Sequence, residues 1–186
     1  MAVKTMAKNT GTGQYNAGWH ELTISKATDG KWGDKRTIDL NFEGYPDNMR
    51  HRVFEASNKT TGEEFKIANL FRFACAGIIS VLQDPTGKNP VIQYDDEVAN
   101  LVGTRVNVYF VKEVSTTDGK EYSRTFDLAP VAQETEHLTW TDDDVARLKH
   151  SVEKQHAKKA ATVTNGVGTT HLDTTTTVAG DAEIPF

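Results

Sequence analysis

Between Ala17 and Leu128 the apolar residues fall at every second position in five separate runs and at helical spacing in only one. A period of two puts apolar side chains on one face of a strand, and a period near 3.6 puts them on one face of a helix. The order in which the periods change therefore limits the fold. Leu22 and Ile24 alternate with Glu21, Thr23 and Ser25, and Ile38, Leu40 and Phe42 alternate with Thr37, Asp39 and Asn41. The turn between them spans Asp29–Asp34, so the two runs predict a hairpin with a long tip, Gly30–Arg36. Met49–Glu55 predicts a third strand, with Arg50, Arg52 and Phe54 on one face and His51 and Val53 on the other. Within residues 63–82 the spacing of Ile67, Leu70, Phe71, Ala74, Ile78, Val81 and Leu82 predicts a helix, opened by Glu63, Glu64 and Lys66. Cys75 falls on or beside that stripe as a small apolar group. After a loop at Asp84–Pro90, Val106, Val108 and Phe110 mark a fourth strand. A turn at Ser115–Lys120 leads to a fifth, Tyr122–Leu128. A last helix starts after Trp140, with Thr141 as its cap and three Asp residues in its first turn, and ends near His156.

Five strands with a helix between the third and fourth is the order of an OB-fold, a small Greek-key barrel. The expected class is mainly β: a five-stranded OB-fold barrel, a C-terminal helix and a disordered tail. The chain divides into a flexible N-terminus (1–16), the barrel domain (17–132), a helical extension (133–156) and a tail (157–186). From Ala157 to Gly180 there is no aromatic residue, Thr and Gly recur, and neither period persists. Such a segment buries too little apolar area to offset its ordering entropy.

Composition narrows the partners. No apolar run is long enough to span a membrane, and the N-terminal residues hold no apolar signal segment. A single cysteine, Cys75, excludes an intrachain disulfide. The expectation is a cytoplasmic protein without a membrane partner. The net charge of -5 argues against a uniformly basic DNA-binding surface. Residues 1–132 hold 16 Lys and Arg against 17 Asp and Glu, and residues 133–186 hold 5 against 9. Most of the negative excess lies in the last third, and any DNA surface has to be a local patch.

One set of residues has the character of such a patch. Binding single strands without sequence preference needs cations along the phosphates and aromatic faces for the bases. The first hairpin tip supplies Lys31, Trp32, Lys35 and Arg36. The third strand adds Arg50, Arg52 and Phe54, and the last two add Tyr109, Lys112, Lys120, Tyr122 and Arg124. Trp19 has the opposite parity to Leu22 and Ile24 and is left outside the site. Catalytic groupings are poor. The six histidines lack metal-ligand spacing, Gly11-Thr12-Gly13 has no following Lys-Ser/Thr, and no cofactor is expected. Asp39, Glu43 and Glu55 are the only candidates for a metal-dependent nuclease cluster.

The chain closes on Asp181-Ala182-Glu183-Ile184-Pro185-Phe186. Phe186 with Ile184 and Pro185 is a hydrophobic hook, and Asp181, Glu183 and the terminal carboxylate are charges that a basic pocket on a partner protein would meet. This tip resembles that of single-stranded DNA-binding proteins, and Gly18–Leu128 is similar in pattern to the phage-encoded OB-fold members of that family. The resemblance implies non-enzymatic coating of exposed DNA strands in replication, recombination and repair. It also implies recruitment of replication proteins through Asp181, Glu183, Ile184, Pro185 and Phe186. The acidic run is shorter here than is usual in the family. A strand-annealing accessory protein and a small nuclease are the alternatives, and oligomeric state is left open.

Overall fold

The computed structural model describes residues 15–83 and 90–164. A five-stranded antiparallel sheet in the order β3-β2-β1-β6-β7 forms its centre. Its strands are β1 (Gly18–Trp32), β2 (Lys35–Phe42), β3 (His51–Phe54), β6 (Arg105–Val114) and β7 (Glu121–Ala129). Helix α1 (Lys66–Ala74) and a two-stranded hairpin, β4 (Ile78–Gln83) and β5 (Pro90–Tyr94), lie between β3 and β6. A short 3-10 turn, Val98–Leu101, leads into β6. A small hairpin, β8 (Gln133–Glu134) and β9 (Thr139–Trp140), precedes helix α2 (Asp142–Thr164). The edge strands β3 and β7 share no ladder, so the sheet is not a closed barrel. They do approach one another where Thr125 Oγ1 donates to the Arg50 carbonyl at 3.1 Å.

Strand β1 serves two ladders. Gly18–Thr23 pairs with β6, and Ile24–Trp32 pairs with β2. The transfer happens at Ile24, whose N–H donates to Thr104 O at 2.9 Å and whose carbonyl accepts from Gly103 N at 2.8 Å. Directly after it the register slips between Ile24 and Lys26, leaving Ser25 as the extra residue of a bulge. Before the bulge even-numbered residues face the core, and after it odd-numbered ones do. Ala27 therefore lies opposite Leu40, and Asp29 opposite Ile38. This is why the first strand reads as ending near Asp29 when it in fact runs to Trp32: the alternation is intact but inverted. The hairpin tip is accordingly tight, with Trp32 opposite Lys35 and only Gly33-Asp34 between. Gly33 has φ +61° and Asp34 a negative φ, which is the pattern of a type II′ turn with glycine first.

The core is the concave side of this curled sheet, closed by α1. Ile24, Ile38, Leu40, Val106, Val108 and Phe110 are buried there against Ile67, Leu70 and Phe71 of the helix. Glu64 caps α1, its carboxylate accepting from Ile67 N at 2.7 Å and Ala68 N at 2.9 Å.

Three expected boundaries need correction. The helix expected within 63–82 ends at Ala74. Cys75 takes the left-handed conformation (φ +49°), and Ala76 N and Cys75 N return to the carbonyls of Phe71 and Arg72, a Schellman closure. With no glycine at that position the apolar spacing reads on into Ile78, Val81 and Leu82, which belong instead to β4. The last helix runs to Thr164 rather than His156, so the first residues of the expected tail are helical. The expected mobile N-terminus overlaps the described residues only at Tyr15 and Asn16. Tyr15 is docked, its N–H donating to Ser123 Oγ at 2.7 Å and its ring 4.8 Å from that of Tyr45. The Thr141 cap is observed: Asp144 N donates to Thr141 Oγ1 at 3.2 Å. Residues 1–14, 84–89 and 165–186, including the acidic tip, lie outside the described residues.

Two predictions follow from packing. Gly77 has φ +63°, and a Cβ there would stand 2.3 Å from the Asp95 carbonyl oxygen. Gly77→Ala should lower stability by about 2 kcal/mol or more in a denaturant titration. Secondly, His51 is buried, and loss of solvent pushes its pKa down to about 4, below its ordinary 6.5, despite the nearby carboxylates Asp127 and Asp39. Above pH 6.5 neither folded nor unfolded chain binds this proton. Below it the unfolded chain does so first, and stability falls until the folded pKa is reached, by at most about 1.4 kcal/mol per pH unit. Melting temperature should therefore drop as pH falls from 6.5 to 4, and His51→Gln should reduce that drop.

Candidate nucleic-acid interface

The β1–β2–β3 arm turns one face to the core and the other to solvent. Cross-strand register defines the outer face rung by rung: Trp32 opposite Lys35, then Gly30–Thr37–Phe54, then Thr28–Asp39–Arg52. Trp32 is 66% exposed at the tip, and Phe54 is exposed two residues beyond Arg52. The Arg52 guanidinium carbon lies 5.9 Å from the centre of the Trp32 ring. Small residues separate the two aromatics. Gly30 has no side chain, and a Cβ there would come 3.2 Å from Thr37 Oγ1.

Asp39 fixes the cations of this face. Arg52 Nε and Nη2 donate to its two oxygens at 2.6 and 2.7 Å, the parallel geometry that a guanidinium offers a carboxylate. Arg50 Nη1 lies 3.5 Å from Asp39 Oδ2. Hydrogen bonds from Arg52, more than any other influence, hold the Asp39 carboxyl below the usual carboxylate range. With Lys35, Arg50 and Arg52 against Asp39, the face keeps a net positive charge. Spacing along one strand cannot show this role for Asp39; only the β2–β3 register sets it opposite Arg52.

Other expected site residues are placed elsewhere. Lys31 and Arg36 pair across the hairpin on the opposite face from Trp32. Arg36 is engaged there: Nε and Nη2 donate to Asp29 at 2.9–3.1 Å, Nη2 also donates to Asp96 O at 3.1 Å, and Nη1 pairs with the Asp96 carboxylate. Its side chain ties the arm to the segment after β5. Tyr109 is covered by α2, and its ring lies 5.0 Å from Trp19, 6.3 Å from Phe126 and 5.7 Å from His156. Trp19 is held by the same helix, donating from Nε1 to Glu153 Oε1 at 2.8 Å, with Lys149 Nζ 5.4 Å from its ring centre. Lys149, Glu153 and His156 recur at intervals of three and four, the spacing of one helix face; that signal could have shown that this part of the sheet is covered.

The β6–β7 hairpin carries the remaining candidates, three of them with the side chain beside a carboxylate. Arg124 Nε lies 3.0 Å from Glu113 Oε1, Lys112 Nζ 3.5 Å from Glu121 Oε1, and Tyr122 OH donates to Asp118 Oδ2 at 2.5 Å. Lys120 is exposed in the connecting loop. Arg124 and Tyr122 face the same side as Val111 and Glu113, and Lys112 faces the other. The contact from Thr125 to Arg50 brings the root of this hairpin beside the start of β3.

The imagined nuclease carboxylates do not assemble. Asp39 is taken by two arginines, and Glu55 accepts from Arg36 N at 2.9 Å. Among the described residues no group of three or more His, Cys, Asp or Glu could hold a metal ion, and no helix is long and apolar enough to cross a membrane. The chain matches no protein-family model and no curated protein sequence.

Burial separates two aromatic residues that look alike in the sequence. Tyr109→Ala should lower the melting temperature, since it leaves a gap under α2, at a cost of order 3 kcal/mol. Trp32→Ala should leave it almost unchanged. Thermal unfolding of the two variants side by side checks the assignment.

Proposed function

We propose that this chain is a non-enzymatic single-stranded DNA-binding protein whose sheet is an OB-type barrel left open between β3 and β7. The observation that carries the reading is the outer face of the arm. It presents a tryptophan with no packing role, an arginine against its ring, a second exposed aromatic on the same face, and cations exceeding carboxylates. A base has a π-face whatever its identity, so stacking on Trp32 and Phe54 tolerates any sequence. Lys35, Arg50 and Arg52 supply charge for the backbone. The strand order, with β1 shared between two ladders and a helix between β3 and β6, supports the OB-type reading. The β6–β7 hairpin, with Lys120, Tyr122 and Arg124, would flank the strand on its other side.

In this reading the protein coats exposed strands during replication, recombination and repair in the cytoplasm, of a host cell if phage-encoded. The Asp181–Phe186 segment recruits replication proteins: its acids and hook match a basic, apolar pocket on a partner. Deleting residues 181–186 should then remove partner capture without changing the melting of the domain.

Titration of intrinsic tryptophan fluorescence with poly-dT, at two salt concentrations and beside duplex of equal length, tests the binding. Quenching, preference for the single strand and loss of affinity at high salt are expected, because cations on phosphates release counterions. Trp32→Ala should weaken binding by roughly 1–3 kcal/mol, and Arg50→Ala with Arg52→Ala should also flatten the salt slope. Equal affinity for duplex, or wild-type affinity in Trp32→Ala, would overturn the reading.

A further inference from the structure

We infer that the β4–β5 hairpin is a self-association surface, on which the outer edge of β4 pairs with the same edge of a second copy of this chain. Ile79 is 60% exposed, Leu82 and Val91 each 48%, and Val81 is exposed beside them. Apolar side chains this exposed and this close together mark an interaction site more often than a free surface. Leu82 lies opposite Val91 and Ser80 opposite Gln93, so these four share a face, and Ser80 Oγ donates to Gln93 Oε1 at 2.9 Å across it. Neither strand contains a charged residue. Two strands alone are marginal in water, and among the described residues neither β4 nor β5 has a further strand beside it.

The two edges differ. β5 begins at Pro90, which lacks an N–H, and runs into Asp95-Asp96-Glu97, both features that blunt an edge. β4 has neither proline nor charge along Ile78–Gln83, and among the described residues no strand pairs with its outer edge.

Charge selects the occupant. A nucleic acid needs cations, and neither strand has one. The acidic Asp181–Phe186 segment needs basic residues, and they are absent for the same reason. Two copies of a chain with net charge -5 repel one another at charged faces, and β4 offers a six-residue contact with no charge to oppose. Antiparallel pairing of β4 with its copy is isologous, each strand being both template and partner. The result is a four-stranded sheet, β5-β4-β4-β5, in which Leu82 and Val91 of both copies lie on continuous faces. This inference does not depend on DNA binding.

Sedimentation equilibrium of the full chain across a wide concentration range tests it, with Ile79→Lys and Leu82→Lys as variants. Both side chains are exposed, so circular dichroism and melting should be unchanged while the dimer of the wild type is lost. A wild type monomeric at every concentration, or a dimer that persists in both variants, overturns the inference. So does a dimer lost only on deleting residues 181–186, which would assign the contact to the tail. Hydrogen exchange of the wild type needs no variant: β4 amides should gain protection as concentration rises, and protection independent of concentration overturns the inference equally.

Discussion

One extra residue in β1 organises the molecule. Ser25 sits in a bulge where the strand leaves the β6 ladder and joins that of β2. A bulge sharpens local twist and inverts which residues face inward. Without the inversion, Ala27, Asp29 and Lys31 would turn outward, and Thr28, Gly30 and Trp32 would face Ile38 and Leu40. With it, the apolar residues of both halves meet one core, and Trp32 is carried to the solvent side of a hairpin arm. Packing and the candidate interface thus depend on the same local irregularity.

The charge pattern has a second organising pair. On the outer face Asp39 aligns Arg50 and Arg52, and on the opposite face Asp29 and Asp96 occupy Arg36. Three arginines are thus divided between the two faces, Arg50 and Arg52 on Asp39 and Arg36 on Asp29 and Asp96. Arg52 remains beside the Trp32 ring, while Arg36 is committed to holding the arm. A local excess of positive charge arises on one face of an acidic protein without a basic segment in its sequence.

The strands of the central sheet were legible wherever a period of two ran uninterrupted, as in β2, β3 and β6, and so was the Thr141 cap. What was not legible has a physical cause in each instance. Cys75 takes a left-handed conformation that glycine usually signals, so the end of α1 was hidden and Ile78, Val81 and Leu82 read as more helix. The bulge at Ser25 masked the second half of β1. In the candidate interface, Arg50, Arg52 and Phe54 share a face as strand parity implied, and the β1–β2 register adds Trp32 and Lys35 to it. Lys31 and Arg36 fall on the other face because the hairpin tip is tight rather than long. Tyr109 has the composition of a stacking residue, but its covering comes from α2, more than thirty residues away in sequence, and the period of β6 itself carries no sign of it.

Arg36 links the β1–β2 hairpin to the segment that follows β5. Its guanidinium reaches from the arm to Asp96, one residue from Asp95, whose N–H bonds to Gly77 O at 2.8 Å at the root of the β4–β5 hairpin. The two protruding hairpins of this protein therefore share a joint, made of one side chain with its hydrogen bonds divided between them. The link adds to a core the two hairpins already share, since Tyr94 of β5 packs against the cluster that holds Ile38 and Leu40 of β2.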